Sequence, residues 1–315
     1  MFGVARRLRE NGVLGLNWRN GEYLLPNNAR RLYPLVDDKL KTKRLAQAAG
    51  VGVPPLYGVI EYAGDVRGFA AIAQRHPEFV IKPAGGSGGD GIVIIRGRMG
   101  GMYRKASGAL VSRDDLEFHI YNALGGIFTL GGQPDRVLIE YCIQFDPVFE
   151  RISFEGVPDI RIIVFLGVPV MAMVRLPTRQ SGGRANLHQG AIGAGVDMRT
   201  GTTMTAVLRQ SIVADHPDTG EPVGGVVVPH WNAMLEIAAR TYEMTGLGYQ
   251  GVDLVIDRSM GPVMLEINAR PGLAIQIANR AGLGLRLEKA RAIAARKLPP
   301  AERAALAREL FASAG

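Results

Sequence analysis

Short apolar runs recur along the chain and are broken by glycine, proline or charged residues, a pattern typical of strands joined by turns. Two pairs of runs predict hairpins, at residues 160–166 with 169–175 and at residues 252–257 with 262–267. Single strands are predicted after residues 51–55 and at residues 79–82, 92–95 and 137–143. Because strands and helices do not alternate regularly, the pattern favours α+β lobes over a βαβ series.

Helix signals lie between these strands. A helix is predicted to begin near Asp37 and Asp38, whose charges suit its N-terminal end, and to end at Gly50. Ser112 and Asp115 have the spacing of a capping box, which predicts a helix to about residue 124. Two more helices are predicted at residues 230–245 and after residue 300.

Two segments show neither the strand nor the helix periodicity of apolar residues. Residues 1–36 are polar, contain turn signals and are predicted to be irregular. Residues 177–204 are rich in Gly, Arg, Asn and Thr, which predicts a long functional loop.

Length and composition narrow the class of protein. The 315 residues suffice for two domains. The net charge of +8 could indicate nucleic-acid binding, but the basic residues are spread along the chain. We therefore expect a cation-rich site for phosphates and carboxylates, and we do not expect nucleic acid as a partner. The longest uncharged run, residues 162–174, is too short for a membrane span. The single cysteine, Cys142, excludes a disulfide framework and fits the reducing cytoplasm.

A glycine-rich segment at residues 86–91 matches G-x-G-x-x-G. A dinucleotide fingerprint needs a helix after the loop, whereas a β-branched run at residues 92–95 follows here. A strand–loop–strand arrangement can instead cover nucleotide phosphates with backbone N–H groups, and Lys82 just before it can add a positive charge. The alternative is a solvent-exposed turn.

Carboxylates mark the second predicted hairpin. If Asp257 pairs with Pro262, the register places Asp253 opposite Glu266, and strand alternation puts Asn268 on the same face. Facing carboxylates on an apolar strand pair repel each other unless a cation lies between them. These hard oxygen donors suit Mg²⁺, or Mn²⁺ in its place.

Several polar residues have two interpretations. Arg161 and Arg175 lie on apolar strands, where they serve either the reaction or a structural salt bridge. One hairpin carboxylate could face solvent or pair with Arg270 instead of binding metal. Arg184 could be solvated surface, and His188 either a proton carrier or an ordinary loop histidine.

The order of these segments resembles the ATP-grasp superfamily, especially its alpha-L-glutamate ligase branch, over residues 35–280. The matching segments are Asp38-Lys39 with Thr42-Lys43, Gly50 to Pro54, Val80 to Pro83 with the glycine loop, Leu138 to Ile143, Asp159-Ile160-Arg161, Asn186 to Gly190, Gly251-Val252-Asp253 and Glu266 to Gly272. The resemblance implies an α+β, ATP-grasp fold in which two α/β lobes clasp ATP. The implied domains are a short N-terminal segment at 1–36, a small lobe at 37–135 and a large lobe at 136–315.

The resemblance also implies residue roles. Contacts with ATP are implied for Lys39, Lys82, Gly86, Ser87, Gly88, Gly89, Glu140, Tyr141 and Ile143. Magnesium ligands are implied at Asp253, Glu266 and Asn268, and catalytic roles at Arg161, Arg175 and Arg270. Substrate contacts are implied for Asn186, Arg184 and His188.

The function implied is that of an ATP- and Mg²⁺-dependent carboxylate–amine ligase. It would form an amide or peptide bond through an acyl-phosphate, using glutamate or another amino acid, with a peptide, protein or metabolite as the other substrate. Fewer than 40 residues precede Lys39, where most members of the superfamily carry a full α/β domain. That departure leaves open an ATP-binding protein without ligase activity that regulates a partner. A homo-oligomer is compatible with the sequence.

Overall fold

The structure is a computed structural model that describes residues 2–86, 88–129 and 131–312. The chain forms two compact units. The larger unit comprises Met1–Asp37, Thr42–Gly52 and Phe145–Gly315, and the smaller unit comprises Asp38–Lys41 and Val53–Gln144.

The helices are α1 Phe2–Glu10, α2 Leu16–Trp18, α3 Lys39–Ala48, α4 Phe69–Arg75, α5 Arg113–Leu124, α6 Trp231–Thr245, α7 Ile275–Ala278, α8 Gly284–Ala294 and α9 Pro300–Leu310. The strands are β1 Leu56–Ile60, β2 Phe79–Pro83, β3 Val93–Met99, β4 Met102–Lys105, β5 Leu110–Val111, β6 Val137–Glu140, β7 Asp159–Phe165, β8 Val168–Leu176, β9 Ile192–Val196, β10 Thr203–Leu208, β11 Ser211–Val213, β12 Tyr249–Asp257 and β13 Gly261–Asn268.

The smaller unit is built on a six-stranded antiparallel sheet in the order β1-β6-β2-β3-β4-β5. Its core is centred on Phe79, whose ring meets the rings of Phe69 and Tyr103 edge-on at 5.7 and 5.9 Å. Helix α5 packs on this sheet and begins at the capping box of Ser112 and Asp115, as the sequence predicts.

The larger unit is built on a seven-stranded antiparallel sheet in the order β11-β10-β9-β8-β7-β12-β13. Strands β7, β8 and β12 are buried along nearly their whole length, which explains their almost continuous apolar sequences. Helices α6 and α8 pack against β7 and β8, and α9 packs against β8. The predicted α+β, ATP-grasp architecture agrees with this pair of antiparallel sheets with packed helices.

The prediction of an irregular N-terminal segment is wrong. Besides α1 and α2, residues 19–24 form a π-helical turn and residues 30–35 a 3₁₀ helix. Buried side chains fix this segment on the larger unit, among them Tyr23, Leu24 and Arg19, whose guanidinium donates to the carbonyl of Pro271 at 2.7 Å. Sequence periodicity missed these turns because each is too short to display a repeating apolar face.

Asn28 ties this segment to the ends of β12 and β13. Its amide nitrogen donates to the carbonyls of Tyr249 at 2.6 Å and Ala269 at 3.1 Å, and its oxygen accepts from the Tyr249 N–H at 2.8 Å. The side chain is buried, so its loss would leave several backbone groups without partners.

We expect Asn28→Ala to lower the free energy of unfolding of the larger unit by about 2–4 kcal/mol, because the buried carbonyls and N–H lose their partner. Both tryptophans, Trp18 and Trp231, lie in the larger unit, so denaturation followed by tryptophan fluorescence measures this change. Asn11→Ala is the control, since Asn11 is exposed and bonds only locally to the Arg7 carbonyl. Equal effects of the two substitutions would contradict a stabilising role for the hydrogen bonds of Asn28.

The long loop predicted at residues 177–204 is also shorter than expected, because β9 occupies residues 192–196. Two glycines conceal this strand. A Cβ on Gly195 would lie 2.5 Å from the carbonyl oxygen of Ala278, and a Cβ on Gly193 would lie 2.9 Å from the Leu187 side chain. Because neighbouring residues approach so closely, only glycine fits at these two positions. Glycine is not typical of strands, so the sequence did not predict β9.

None of the helices in the described ranges has the length and apolar character needed to cross a bilayer.

Candidate functional site

The acidic hairpin of β12 and β13 has a bulge that sets its register. The predicted pairing of Asp257 with Pro262 is wrong, since Asp257 lies opposite Gly261 and Ile256 opposite Pro262. The register then shifts by one residue at Leu265, so that Asp253 lies opposite Glu266. The bulge thus restores the facing carboxylates that the sequence predicts.

The turn of this hairpin accounts for the shift. The Asp257 carboxylate accepts the N–H groups of Ser259 and Met260 at 2.9 and 3.1 Å, which folds the chain back early. Gly261 has a φ of 71° and begins β13 directly after three loop residues. A loop of three residues followed by a left-handed glycine is a common hairpin form.

Neighbouring strands bring two arginines to Asp253. Arg161 on β7 lies directly opposite Asp253, and its guanidinium binds both carboxylate oxygens at 2.7 and 2.6 Å. Arg175 on β8 donates to Asp253 at 2.7 Å and makes two further hydrogen bonds to Asp159. Because Asp159 is two residues before Arg161, all four side chains share one face of the sheet.

Asn268 connects the two carboxylates of the hairpin. Its amide nitrogen donates to Asp253 at 3.1 Å and to Glu266 at 3.2 Å. Glu266 and Asn268 are half-buried, whereas Asp253 is 1% exposed. We call these side chains, with those of Asp159, Arg161 and Arg175, the polar row. It runs from a buried ion-pair network at β7 and β8 to half-buried Glu266 and Asn268 at β13.

Burial and pairing act in opposite directions on the two aspartates. Burial alone would raise the pKa of Asp253, but the charges of Arg161 and Arg175 outweigh it and lower that pKa to about 2. Burial raises the pKa of Asp159 to about 7 despite Arg175, and the nearby charge of Asp253 contributes to that rise. The two carboxylates raise the pKa of Arg175 against the effect of its burial. Asp253 is thus the permanent anion of the network.

The pKa of Asp159 makes stability depend on pH. Since its folded-state pKa of about 7 exceeds the unfolded value of 3.8, the folded protein binds more protons between those values. Its contribution to stability is therefore present at low pH and is lost as the pH rises towards 7. We expect the difference in unfolding free energy between wild type and Asp159→Asn to shrink from about pH 5 to about pH 8 in the presence of a chelator. A difference that is flat or grows with pH would contradict this assignment.

The polar row contains carboxylate and amide groups, whose oxygens can bind a divalent cation. Within the described ranges, no three His, Cys, Asp or Glu side chains converge as a metal cluster, so the set depends on Asn268 as well as carboxylates. Above the pKa of Asp159, the three carboxylates Asp159, Asp253 and Glu266 and the two arginines carry one formal negative charge together. Hard oxygen donors with a net negative charge fit Mg²⁺. Glu266 and Asn268 would hold it, with Asp253 beside them.

Arg270 does not join this cluster. It is exposed, and its guanidinium lies over the ring of Tyr33 at 4.7 Å. In the part of the chain that the structure describes, Arg270 forms no ion pair with Asp253 or Glu266. The alternative that Arg270 neutralises a hairpin carboxylate is therefore not what the structure contains.

A second group of predicted residues lies in the smaller unit. Lys82 on β2 forms an ion pair with Glu140 on the adjacent strand β6, and both side chains are buried. Lys39, at the start of α3, donates to the carbonyl of Gly86. A lysine therefore contacts the beginning of the glycine-rich loop.

The loop itself is held by its flanking residues. Gly88 and Gly89 have φ angles of 64° and 85°, which only glycine adopts without strain. The carboxylate of Asp135 accepts the Gly85 N–H at 3.1 and 2.9 Å, and His119 bonds to the Gly91 carbonyl at 2.8 Å. Ser87, a predicted phosphate contact, lies outside the described residues.

The predicted adenine-binding residues follow β6. The Tyr141 N–H donates to the Pro55 carbonyl at 2.9 Å, and the Ile143 carbonyl accepts from Arg96 at 3.4 Å. Glu140 is paired in the sheet with Leu56 and Val80. The backbone of this segment is thus largely engaged within the smaller unit.

The predicted substrate residues lie on one closed loop of the larger unit. The Asn186 oxygen accepts the His188 N–H at 3.0 Å, and Arg184 donates to Gln189 at 3.4 Å. Leu187 packs over Gly193, which lies directly opposite Arg175 on the neighbouring strand. The structure thus brings this turn beside the arginine end of the polar row.

Two residues at the site escaped the sequence prediction. Asp159 was not among the predicted site residues, although its position two residues before Arg161 places it on the same face of the strand. His216 is buried, bonds through Nε2 to the Pro177 carbonyl at 2.9 Å, and accepts the Asp218 N–H at Nδ1. It anchors Pro177, at the start of the predicted substrate loop, and no local sequence signal indicates that contact.

Comparison with known proteins specifies the family to which this fold belongs. Residues 18–292 match the family described as "Sugar-transfer associated ATP-grasp". Since the match covers most of the chain, the protein belongs to this ATP-grasp family.

Individual relatives are more distant. A "Probable alpha-L-glutamate ligase" of Thioalkalivibrio sulfidiphilus (strain HL-EbGR7) is 25% identical over 236 residues, 75% of this chain and 56% of the relative. The chain thus spans little more than half the length of that curated protein.

Solved structures show weaker likeness. The biotin carboxylase of Campylobacter jejuni, in a β,γ-ATP complex, has a TM-score of 0.47 and 16% identity, covering 82% of this chain and 46% of that one. A RiPP-associated ATP-grasp ligase of Chryseobacterium gregarium, bound to ADP and a leader and core peptide, has a TM-score of 0.46 and 13% identity, covering 87% and 63%.

Proposed function

We propose that this protein is an ATP- and Mg²⁺-dependent carboxylate–amine ligase that forms an amide or peptide bond through an acyl-phosphate. The observation that carries the proposal is the polar row across β8, β7, β12 and β13, where Arg175, Arg161, Asp253, Glu266 and Asn268 share one face. Membership of the ATP-grasp family supports the use of ATP.

The proposed reaction has two steps. An oxygen of the substrate carboxylate attacks the γ-phosphorus, the bond to the β–γ bridging oxygen breaks, and ADP leaves with that electron pair. An amine then attacks the acyl carbon, phosphate leaves, and the amine loses a proton to solvent or a nearby base. Both steps demand positioning and charge neutralisation more than a protein nucleophile.

Residues of the larger unit would serve the transferred phosphoryl group. Bound Mg²⁺ supplies positive charge and a template for phosphate oxygens. Glu266 and Asn268, which are half-buried on β13, would hold the cation. Arg161 and Arg175 are held rigidly by Asp253 and Asp159, so their remaining N–H groups can neutralise negative charge that develops on the phosphoryl oxygens. We assign Arg270 a substrate-binding role, because it is exposed and lies apart from this network.

Residues of the smaller unit would bind the remainder of ATP. Lys82 and Lys39 provide charge for the phosphates, and the N–H groups of Gly86, Gly88 and Gly89 can approach phosphate oxygens without a Cβ in the way. The segment from Glu140 to Ile143 would border the adenine.

Glutamate or another amino acid is the proposed substrate class. The relative named probable alpha-L-glutamate ligase supports it. Asn186, Arg184 and His188 lie on the loop beside Arg175 and would contact a substrate carboxylate.

A product screen tests the proposal. The full chain is incubated with Mg-ATP, pooled amino acids and candidate carboxylate acceptors, while ADP release and product masses are recorded. A product lighter by one water than its two substrates combined, formed with one ADP for each bond, is the expected result. ADP release that no amine or carboxylate stimulates, with no new mass, would reject ligase activity.

A further inference from the structure

The N-terminal helix and three other helices of the larger unit carry exposed apolar side chains. Six large ones are each between 37% and 61% exposed: Val4, Leu8, Leu16, Trp18, Ile277 and Leu285. They belong to α1, α2, α7 and α8. Scattered apolar residues are ordinary on a protein surface, whereas a group of this kind indicates an interaction site.

Contacts connect the chain that follows α1 to α7 and α8. Gly12, just after α1, accepts the Gly284 N–H at 2.8 Å, and a Cβ on Gly12 would lie 2.7 Å from the Leu285 side chain. Gln276 binds both the N–H and the carbonyl of Leu14, at 2.8 and 3.0 Å. The chain between α1 and α2 is therefore fixed against α7 and the start of α8. We call α1, α2, α7 and the Leu285 face of α8 the N-terminal surface.

The N-terminal surface is basic as well as apolar. Helix α1 carries exposed Arg6, Arg7 and Arg9, and its one acidic residue, Glu10, is paired with Arg6 at 2.8 Å. Val4 and Leu8 are four residues apart and lie on one side of this helix. Arg280 after α7 and Lys289 on α8 add two exposed positive charges. A short helix with apolar and arginine-rich sides is suited to the interface between water and a bilayer.

We propose that the N-terminal surface binds an anionic lipid bilayer. The apolar side chains enter the boundary between headgroups and acyl chains, and the arginines contact lipid phosphates. Nucleic acid would use the arginines but leave Val4, Leu8 and Leu285 in water. A second copy of the chain would cover the apolar groups but bring like charges together, which opposes association.

Vesicle co-sedimentation of the full chain tests this proposal. We expect the protein to pellet with phosphatidylglycerol-containing vesicles, to pellet little with pure phosphatidylcholine, and to be released by high salt. Val4→Glu with Leu8→Glu should lower the partition constant about tenfold or more, because two inserted side chains are lost. Arg7→Glu with Arg9→Glu should also lower it, by at least about fivefold for each arginine.

A matched control introduces the same charges elsewhere. Phe118→Glu with Ile127→Glu alters two exposed apolar residues of the smaller unit, 67% and 66% exposed, and should leave vesicle binding unchanged. Unaltered thermal unfolding of each variant verifies folding. Three results would overturn the proposal: no pelleting with anionic vesicles, equal loss in the control, or a dimer in sedimentation velocity that Val4→Glu with Leu8→Glu dissociates. Substrate turnover is not part of this readout, so its outcome is independent of the proposed ligase function.

Discussion

Glu266→Gln is expected to reduce ATP-dependent turnover by about 10²- to 10³-fold or more, while leaving the fold intact. Glu266 is the half-buried carboxylate of the polar row. In the described ranges it accepts a hydrogen bond from Asn268 and forms no ion pair with Arg161 or Arg175, although its charge contributes to the raised pKa of Arg175. Its charge is therefore available to a cation, whereas that of Asp253 is engaged by two guanidiniums. The amide has the same shape but lacks the charge that Mg²⁺ requires.

The measurement is ADP release and product formation with saturating Mg-ATP, alongside unfolding followed by tryptophan fluorescence. Glu236→Gln is the control, since Glu236 is a partly exposed carboxylate on α6 paired with Arg240 at 2.7 Å. The control should retain full turnover. Wild-type turnover by Glu266→Gln would exclude Glu266 as a cation ligand, and equal loss in both variants would point to a general effect of removing charge.

The acidic hairpin shows why the sequence predicts the facing carboxylates although it misjudges the local register. Chemistry-bearing residues at Asp253, Glu266 and Asn268 alternate on apolar strands, and that alternation is visible in sequence. The turn held by Asp257 and the bulge at Leu265 arise from side chain–backbone bonding and strand twist, which sequence periodicity does not encode. The two departures compensate, so the facing pair is retained.

Arg161 and Arg175 show what local sequence patterns cannot predict. Sequence reasoning left two roles open for Arg161 and Arg175, and the structure places both in ion pairs with Asp253, with Arg175 also bound to Asp159. Pairing across strands depends on which strands are neighbours in the sheet, and strand order β8-β7-β12-β13 cannot be read from local patterns. A structural ion pair and a phosphate-binding role are compatible, because each guanidinium has five N–H donors.

The missed elements share a different cause. Strand β9 and the N-terminal turns are defined by long-range contacts, such as Gly195 against Ala278 and Asn28 against Tyr249. Gly195 permits the close approach of a residue distant in sequence, and Asn28 makes a hydrogen bond to one. Tertiary contacts of this kind override local propensity.

Asp253→Ala is expected to lower the free energy of unfolding of the larger unit by about 3–5 kcal/mol, in the absence of any ligand. Asp253 is buried, and its carboxylate is the shared acceptor of two guanidiniums whose side chains are only 12% and 11% exposed. Among the described residues, its removal leaves Arg161 without a hydrogen-bonded carboxylate and Arg175 hydrogen-bonded to the carboxylate of Asp159. An exposed pair lacks this penalty, so Glu150→Ala, which breaks the bond to Arg258, should cost less than about 1 kcal/mol.

A second substitution shows whether Asp253→Ala destabilises the protein through an unpaired charge or through the cavity that it leaves. Arg161→Met removes the guanidinium that Asp253→Ala leaves unpaired, and its aliphatic chain keeps much of the volume. The double variant should therefore be more stable than Asp253→Ala alone. The coupling energy between the two positions, measured by fluorescence-detected denaturation, should be about 1–3 kcal/mol. If the two losses simply add, the charges do not stabilise each other, and the rigid arginine pair that the proposed phosphoryl transfer requires would have no energetic basis.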